Sequence, residues 1–195
     1  MKLTPINSLV LAGGLLSIGF IAAESDTGGP VEMKQLMDFE SEEKAPKWFA
    51  VNDGVMGGLS KGQPEIKAGA LHFRGDLSLE NNGGFSSIRT NGSFDFSGKE
   101  ALVMRVKGDG RTYQLRLQTD ALYRGSEISY GANFDTKQGQ WIEVKIPLEK
   151  LSPSWRGRRL DGPPLDLSKI GQIGLLLGDK KAGSFALEVD WIAVE

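Results

Sequence analysis

Ser60 is the one residue whose neighbours match a catalytic pattern, since Gly58-Leu59-Ser60-Lys61-Gly62 fits the G-x-S-x-G element of serine hydrolases. That element places its serine on a strand-to-helix turn and needs an acid and a histidine later in the chain. No helical pattern follows Gly62, and the single histidine, His72, lies in a predicted strand. We therefore expect no serine-hydrolase chemistry.

Paired carboxylates are the second candidate for chemistry. Asp38 with Glu40 and Glu188 with Asp190 each put two acids on one face of a strand. Glycoside hydrolysis needs two carboxyl groups about 5 to 10 Å apart, but any solvated strand can meet that spacing. Asp38 and Asp190, with Glu40 and Asp53, are also weak candidates for a structural calcium site, because calcium takes oxygen ligands. We expect a non-catalytic protein without a cofactor.

Cationic and amide side chains recur on the polar positions of the middle strands, and these residues are Arg89, Arg105, Gln114, Arg116 and Gln118. If these strands share a sheet, the side chains form one patch of hydrogen-bond donors. Guanidinium groups suit carboxylates and pairs of hydroxyls. Tyr123, Tyr130 and Asn133 are candidates to join the patch. The alternative is an ordinary solvated face.

The Pro/Gly-rich loop from Ser152 to Arg159 surrounds Trp155 with the arginines Arg156, Arg158 and Arg159. Tryptophan and arginine dominate the residues that carry binding energy at protein interfaces. The loop is therefore a candidate interaction site. A structural role, with Trp155 packed beneath the loop and the arginines in salt bridges, explains the same residues.

The segment Trp48–Gly62 combines an indole, a carboxylate and four glycines. Trp48 to Val51 has the composition of a strand, and Asn52-Asp53-Gly54 predicts a tight turn. Val55 and Met56 are expected to resume the strand before the Gly57-Gly58 pair interrupts it. Trp48, Asn52 and Asp53 are candidate binding residues, although turn chemistry with Trp48 capping the core is the simpler interpretation.

The elements that must position these residues are predicted to be strands, because apolar and polar residues alternate in many short segments. The predicted strands are 31–39, 70–77, 84–90, 101–107, 112–119, 127–134, 140–146, 173–178 and 185–194. Leu148 to Leu151 is the only predicted helical turn. About nine such strands with one wet face predict an all-β, antiparallel jelly-roll sandwich.

The N-terminal residues predict three segments. Residues 1–23 carry one charge, Lys2, and then an apolar run shorter than the ~20 residues of a spanning helix, which is typical of a secretory signal or, if uncleaved, an N-terminal anchor. Residues 24–31 are a Ser/Gly/Pro linker. Residues 32–195 are the folded domain. We therefore expect an exported protein, periplasmic or secreted.

Composition excludes several function classes. The net charge of −2 gives no basic surface for nucleic acid. The chain has no cysteine, so it has no disulfide, no thiol nucleophile and no thiolate metal site. No phosphate-binding glycine motif follows a predicted strand, so we expect no nucleotide ligand.

Six separated motifs resemble the CIA30 family, named after complex I intermediate-associated protein 30. They are W-F-A-V-N-D-G-V-M-G-G-L-S from Trp48, G-F-S-S-I-R from Gly84, W-I-E-V-K-I-P from Trp141, W-R-G-R from Trp155, I-G-Q-I-G from Ile170 and F-A-L-E-V-D-W from Phe185. The resemblance runs from about Met33 to Val194. It implies a galactose-binding-like jelly roll and an assembly factor, or chaperone, for respiratory NADH:ubiquinone oxidoreductase. An export signal departs from the mitochondrial members of the family.

Two hypotheses of function remain. The first is a non-catalytic binding protein for a protein client, such as a subunit of a membrane complex, with Trp48, Asn52, Asp53, Arg156 and Arg158 at its surface. The second is a carbohydrate-binding module, with Arg105, Gln114, Arg116 and Tyr130 on a concave sheet face. Fold analogy alone does not choose between them.

Overall fold

The computed structural model describes residues 32–195. Within this range, thirteen β-strands form two antiparallel sheets. The strands are β1 (Lys34–Asp38), β2 (Phe49–Asn52), β3 (Lys61–Lys67), β4 (Ala70–Leu77), β5 (Ser86–Phe94), β6 (Ala101–Lys107), β7 (Thr112–Tyr123), β8 (Ser126–Asp135), β9 (Trp141–Pro147), β10 (Ser152–Trp155), β11 (Arg158–Arg159), β12 (Ile170–Leu177) and β13 (Gly183–Val194). Short 3₁₀ helices span Asp53–Met56, Glu80–Asn82, Leu148–Lys150 and Leu167–Lys169. The predicted leader 1–23 and linker 24–31 lie outside the described residues.

The two sheets have different strand orders. The six-stranded sheet has the order β3-β4-β13-β6-β9, and β1 pairs with the end of β13. The seven-stranded sheet has the order β11-β10-β8-β7-β12-β5-β2. In the seven-stranded sheet, β12 inserts between β5 and β7, so it joins two strands that are close in sequence but do not pair with each other.

The hydrophobic core lies between the sheets and follows from the two-residue alternation of the strands. Leu71 and Phe73 on β4 face inward, as do Leu115 and Leu117 on β7, and all four are fully buried. Each such side chain contributes about 1.5 to 3 kcal/mol to stability on burial. The alternating side chains between them face solvent on the outer surfaces. The predicted all-β jelly-roll sandwich is therefore confirmed.

The structure departs from the predicted strands at four places. The predicted loop from Ser152 to Arg159 contains the short paired strands β10 and β11. β3 was not predicted, because Gly62 and Pro64 interrupt its pattern; the strand lies at a sheet edge, where proline is tolerated. The strand predicted to resume at Val55 is wrong, since residues 53–56 form a 3₁₀ helix. A two-residue alternation that starts at Phe185 would place Trp191 on the core face, but a β-bulge between Val189 and Trp191 shifts the register and Trp191 is only partly buried.

The predicted strand in 31–39 corresponds to β1, and the predicted helical turn after Pro147 corresponds to the 3₁₀ helix Leu148–Lys150. Among residues 32–195, no helix has the length and apolar character required to span a membrane.

Candidate binding cleft

A cleft of about 660 Å³ lies on the outer face of the seven-stranded sheet. Arg89, Arg116, Gln118 and Leu176 line its floor, and these residues come from β5, β7 and β12. The 3₁₀ helix Asp53–Met56 lines it on one side and the β10–β11 turn on the other. The cleft therefore runs across the strands instead of along them.

Strand register explains why the floor is open. Arg89 on β5 and Arg116 on β7 both pair with Gly174 on β12, so the two arginines flank a residue without a side chain. A Cβ at Gly174 would lie 3.2 Å from the Ile88 carbonyl oxygen and 3.3 Å from Arg89 Cγ. These contacts are tight, so glycine keeps space between the two arginines. Gly131 pairs with Arg116 on its other side and also adds no side chain to this row.

Each of the two arginines is held by a glutamine that is itself held by an asparagine. Arg116 Nε donates to Gln114 Oε1 (2.7 Å), and Gln114 Nε2 donates to Asn133 Oδ1 (2.9 Å). On the other side of Gly174, Arg89 Nη1 donates to Gln172 Oε1 (3.5 Å), and Gln172 Nε2 donates to Asn91 Oδ1 (2.8 Å). Neutral amide oxygens therefore orient both guanidinium groups, and no acidic side chain is used.

The outer face of the six-stranded sheet is different, because its cations are paired with acids. Arg105 forms an ion pair with Asp190, and Lys107 Nζ lies 2.7 Å from Glu188. Trp141 packs against both cations, each 5.0 Å from its ring centroid. Among the ion pairs within residues 32–195, none involves Arg89 or Arg116. The two arginines of the cleft therefore differ from Arg105 and Lys107, each of which has a carboxylate partner on its own sheet.

The pKa values of both arginines are lowered, as expected for partly buried cations that form no ion pair. Burial, and then the charge of Arg89, lower the pKa of the Arg116 guanidinium to about 10. Burial also lowers the pKa of Arg89, and the negative charge of Glu127 opposes that shift only in part. Arg89, Arg116 and Arg156 face a single acid, Glu127, among the lining residues of the cleft. A bound anion would relieve the repulsion between the two central cations.

The two rims of the cleft have contrasting chemistry. Val55 and Met56 on the 3₁₀ helix are 80% and 66% exposed, which makes this rim apolar. On the opposite rim, Trp155 is half-buried and Tyr123 packs edge-on against it at 5.4 Å between centroids. Arg156 lies 4.9 Å from the centroid of the Trp155 ring. The indole is therefore already covered by its own neighbours.

Asp53, the first residue of the 3₁₀ helix that carries the apolar rim, is fully buried. Its carboxylate accepts hydrogen bonds from the backbone N–H groups of Ser60 (3.0 Å), Gly84 (2.7 Å) and Phe85 (3.3 Å), and from the Ser60 hydroxyl (2.6 Å). Burial raises the pKa of this carboxyl, but the four hydrogen bonds outweigh it, and the net pKa is below the ordinary 3.8. Asp53 thus fixes the 3₁₀ helix to the segment that leads into β5.

Asn52 connects the two sheets. Its amide donates to the Gly62 carbonyl (3.1 Å) and accepts from the Gly62 N–H (3.2 Å) and from the Ser86 hydroxyl (2.6 Å). The Asn52 side chain thus makes the same two hydrogen bonds to the Gly62 backbone that a residue of a neighbouring strand would make. Asn52 and Asp53 hold the cleft in shape and do not line it.

Several candidate residues lie away from the cleft. Arg105 belongs to the six-stranded sheet, so the expectation that it shares a patch with Arg116 is wrong. Tyr130 is fully buried between the sheets, because its place in the β8 alternation faces inward, and it cannot present its ring to a ligand. Trp48 packs partly buried against the core beside Phe39. Arg158 is exposed on β11 and does not line the cleft.

The structure thus brings together Arg89, Arg116, Trp155 and Arg156, with Gln114 behind Arg116. The sequence did not indicate Gln172, Asn91, Gly174 or the apolar rim residues as parts of a site. Gly174 carried one signal that could have been used, because a glycine inside a strand often marks a place where another group approaches closely.

The metal and hydrolase candidates find no support in the geometry. Within residues 32–195, no group of three or more His, Asp or Glu side chains is placed to hold a metal ion, and Asp190 is engaged by Arg105. The Ser60 hydroxyl is buried, donates to Asp53 and accepts from the Ser78 N–H (3.0 Å). It therefore serves the local hydrogen-bond network.

A larger depression of about 990 Å³ lies between the 3₁₀ helix Leu148–Lys150 and the loop 160–167. Its lining mixes three basic residues (Lys99, Lys145, Arg159) with three acidic ones (Glu100, Glu149, Asp161). Because these charges balance, the depression offers no net charge that would select a ligand, and we place the candidate site in the smaller cleft.

Solved structures with this fold include carbohydrate-binding proteins. The family 11 carbohydrate-binding module of the Clostridium thermocellum cellulase Lic26A-Cel5E superposes with a TM-score of 0.66, at 17% identity over 85% of this chain and 95% of the module. The same family's module in complex with a β-1,3-1,4-mixed-linked tetrasaccharide gives 0.65, at 16% identity over 85% and 96%. At such identities the likeness shows the fold alone.

Curated relatives in sequence share one name. "Complex I intermediate-associated protein 30, mitochondrial" of Mus musculus is 31% identical over 84% of this chain and 56% of its own length, and that of Drosophila melanogaster is 28% identical over 85% and 64%. The match therefore spans less than two thirds of these relatives. A family model for complex I intermediate-associated protein 30 matches residues 37–189, and the chain belongs to the CIA30 family.

Proposed function

We propose that this protein is a non-catalytic binding protein that holds a protein client in the cleft of the seven-stranded sheet. The observation that carries the proposal is the pair Arg89 and Arg116, two cations that form no ion pair within residues 32–195, beside the exposed apolar residues Val55 and Met56. A protein-binding surface typically combines charges that orient the partner with apolar area that the partner buries.

The names of the curated relatives support a protein client, because they refer to intermediates of complex I. On that basis the client proposed here is a subunit of an incompletely assembled membrane complex. The apolar N-terminal run of residues 1–23 supports an exported protein, periplasmic or secreted, held at the membrane if the run is not cleaved. An exported location implies a client other than the subunits that a mitochondrial relative meets.

Site-specific photo-crosslinking tests this proposal. A photo-reactive phenylalanine analogue replaces Met56 at the cleft rim or, as the matched control, Glu143 on the exposed outer face of the six-stranded sheet. In intact cells, the expected result is one discrete crosslinked protein from position 56 and none from position 143. Equal products from both positions, or none from position 56, would refute a client in the cleft.

A carbohydrate ligand is the second candidate function, and the planar amides Gln114, Gln118 and Gln172 beside the arginines favour it, because amides and guanidinium groups pair with sugar hydroxyls. Against it, Arg156 and Tyr123 already pack on Trp155, which leaves less of the half-buried ring for a sugar. A glycan array probed with the wild type and with Arg116→Ala separates the two. A glycan signal that disappears in the variant would favour the second function.

A further inference from the structure

Arg89 and Arg116 present more donors than the protein uses. A guanidinium group carries five N–H donors. Arg116 donates from Nε to one amide oxygen, and Arg89 donates to the Ser87 hydroxyl and to one amide oxygen. The remaining donors line a floor that Gly174 keeps open between the two side chains. The row Arg89–Gly174–Arg116 therefore has the form of an anion cradle.

The way the two arginines are supported indicates that the anion comes from outside the chain. Structural arginines on the opposite sheet are neutralised by carboxylates of the same sheet, as Arg105 is by Asp190. In the cleft, Gln114 and Gln172 occupy the supporting positions instead, so the orientation is provided without neutralising the charge. Glu127, the one acid in the cleft lining, acts on Arg89 only through its charge and forms no ion pair with either arginine. Oriented guanidinium groups without an ion-pair partner are suited to bidentate binding of a carboxylate.

The dimensions favour an extended polypeptide. The cleft crosses from the end of β2 to β10, which is five strand spacings in the order β10-β8-β7-β12-β5-β2. With about 4.8 Å per spacing this is about 24 Å, the length of about seven extended residues. Val55 and Met56 at one end would contact an apolar residue of such a segment, whereas Arg156 already packs on the ring of Trp155 at the other end.

We infer that the row Arg89–Gly174–Arg116 is a carboxylate subsite, which binds an acidic residue of an extended client segment whose neighbouring apolar residue packs on Val55 and Met56. This inference rests on the proposed function, since it names the chemistry that selects the client. It predicts that clients carry an acidic residue two or three positions from an apolar one.

A pair of synthetic peptides tests the subsite on the unmodified protein. Both are heptapeptides of serine with leucine at the second position, acetylated and amidated at their ends, and the fourth residue is glutamate in one and glutamine in the other. Binding to the full chain is followed by NMR, from the Gly174 amide and the arginine Nε–H signals. Since hydrogen bonds to charged groups are the stronger ones, we expect the glutamate peptide to bind at least about tenfold more tightly.

Variants locate the effect. In Arg89→Gln and Arg116→Gln the preference for glutamate should fall below about twofold, whereas Arg105→Gln, which removes the same charge from the opposite sheet, should keep it. Thermal melting curves confirm that each variant is folded. The subsite is refuted if wild type does not distinguish the two peptides, or if inorganic phosphate or trigalacturonate binds the same signals more tightly than the glutamate peptide.

The two proposals fail separately. A crosslinked client at position 56 together with equal affinities for the two peptides would leave a protein-binding cleft and refute the carboxylate subsite. A clear glutamate preference without any crosslinked client would support the subsite chemistry and refute the client.

Discussion

Replacing Asp53 with asparagine is the sharpest test of how the cleft is held together. Asp53 Oδ2 accepts from the Ser60 hydroxyl and from the Gly84 and Phe85 N–H groups, and Oδ1 accepts from the Ser60 N–H. Asparagine has the same shape but must turn an NH₂ group toward at least one of these donors. Its best orientation keeps the oxygen at the Oδ2 position and leaves the Ser60 N–H facing the NH₂ group.

The cost of Asp53→Asn follows from that mismatch. An unsatisfied buried donor costs about 1 to 3 kcal/mol, and the remaining hydrogen bonds also lose the strength that a charged acceptor gives them. The glycines next to the carboxylate leave little room to adjust, because a Cβ at Gly83 would already lie 2.6 Å from Asp53 Oδ2. We therefore expect a loss of about 3 kcal/mol in the free energy of unfolding at pH 7.

The loss should depend on pH in a defined direction. Because the folded-state pKa of Asp53 is below its ordinary 3.8, the charged group stabilises the fold fully above that value, and this contribution is lost as the pH falls through the folded-state pKa. Asparagine does not titrate in this range. The difference in stability between wild type and Asp53→Asn should therefore be constant from pH 7 to 5 and should narrow below about pH 4.

Urea unfolding measured by tryptophan fluorescence provides the assay. With a slope of about 2 kcal/mol per molar urea, a loss of 3 kcal/mol lowers the midpoint by about 1.5 M. Asp161→Asn, at an exposed loop position, is the control and should change stability by less than about 0.5 kcal/mol. Equal midpoints for wild type and Asp53→Asn, or a difference that does not narrow in acid, would show that this carboxylate network does not stabilise the fold as argued.

Two further substitutions test the packing around the sheets. Arg111→Gln should lower the free energy of unfolding by about 3 kcal/mol. Arg111 forms a bidentate, largely buried ion pair with Asp179 (3.0 and 2.7 Å), and its loss leaves the Asp179 carboxylate without this cation. An unchanged thermal midpoint would contradict this expectation. Gly62→Ala should lower stability by more than about 2 kcal/mol, since the new Cβ would overlap the Ser86 hydroxyl and lie 3.0 Å from Phe73. Gly98→Ala meets no atom within 4 Å and should cost less, even though Gly98 has a positive φ. Calorimetry of both variants checks this order.

Much of the fold could be predicted because strand alternation is a local property. Leu115 and Leu117 alternate with Gln114 and Arg116, and burial of the first pair follows from the pattern alone. The alternation fails at Trp191, where a bulge shifts it by one residue, and the edge strand β3 was not predicted because Gly62 and Pro64 interrupt its pattern. In both cases the pairing with a neighbouring strand, and not the local alternation, decides the structure.

The candidate site could be predicted only in part. The outward positions of Arg89 and Arg116 followed from their strands, and the Trp155 loop was identified by composition. Tyr130 was misplaced because an aromatic residue with a polar end suits a surface and a core equally well by composition, and here its hydroxyl lies 3.4 Å from the Pro164 carbonyl at the edge of the core.

The amino-acid sequence by itself determined the family, the all-β class and the water-facing side of the regularly alternating strands, because these depend on residue order and a period of two. Only the tertiary structure decided which outward residues meet. β12, far along the chain, pairs with both β5 and β7 and so places Arg89 and Arg116 around Gly174, while β6 joins the other sheet and carries Arg105 away. Strand neighbours are chosen by packing between distant segments, and no local pattern records that choice.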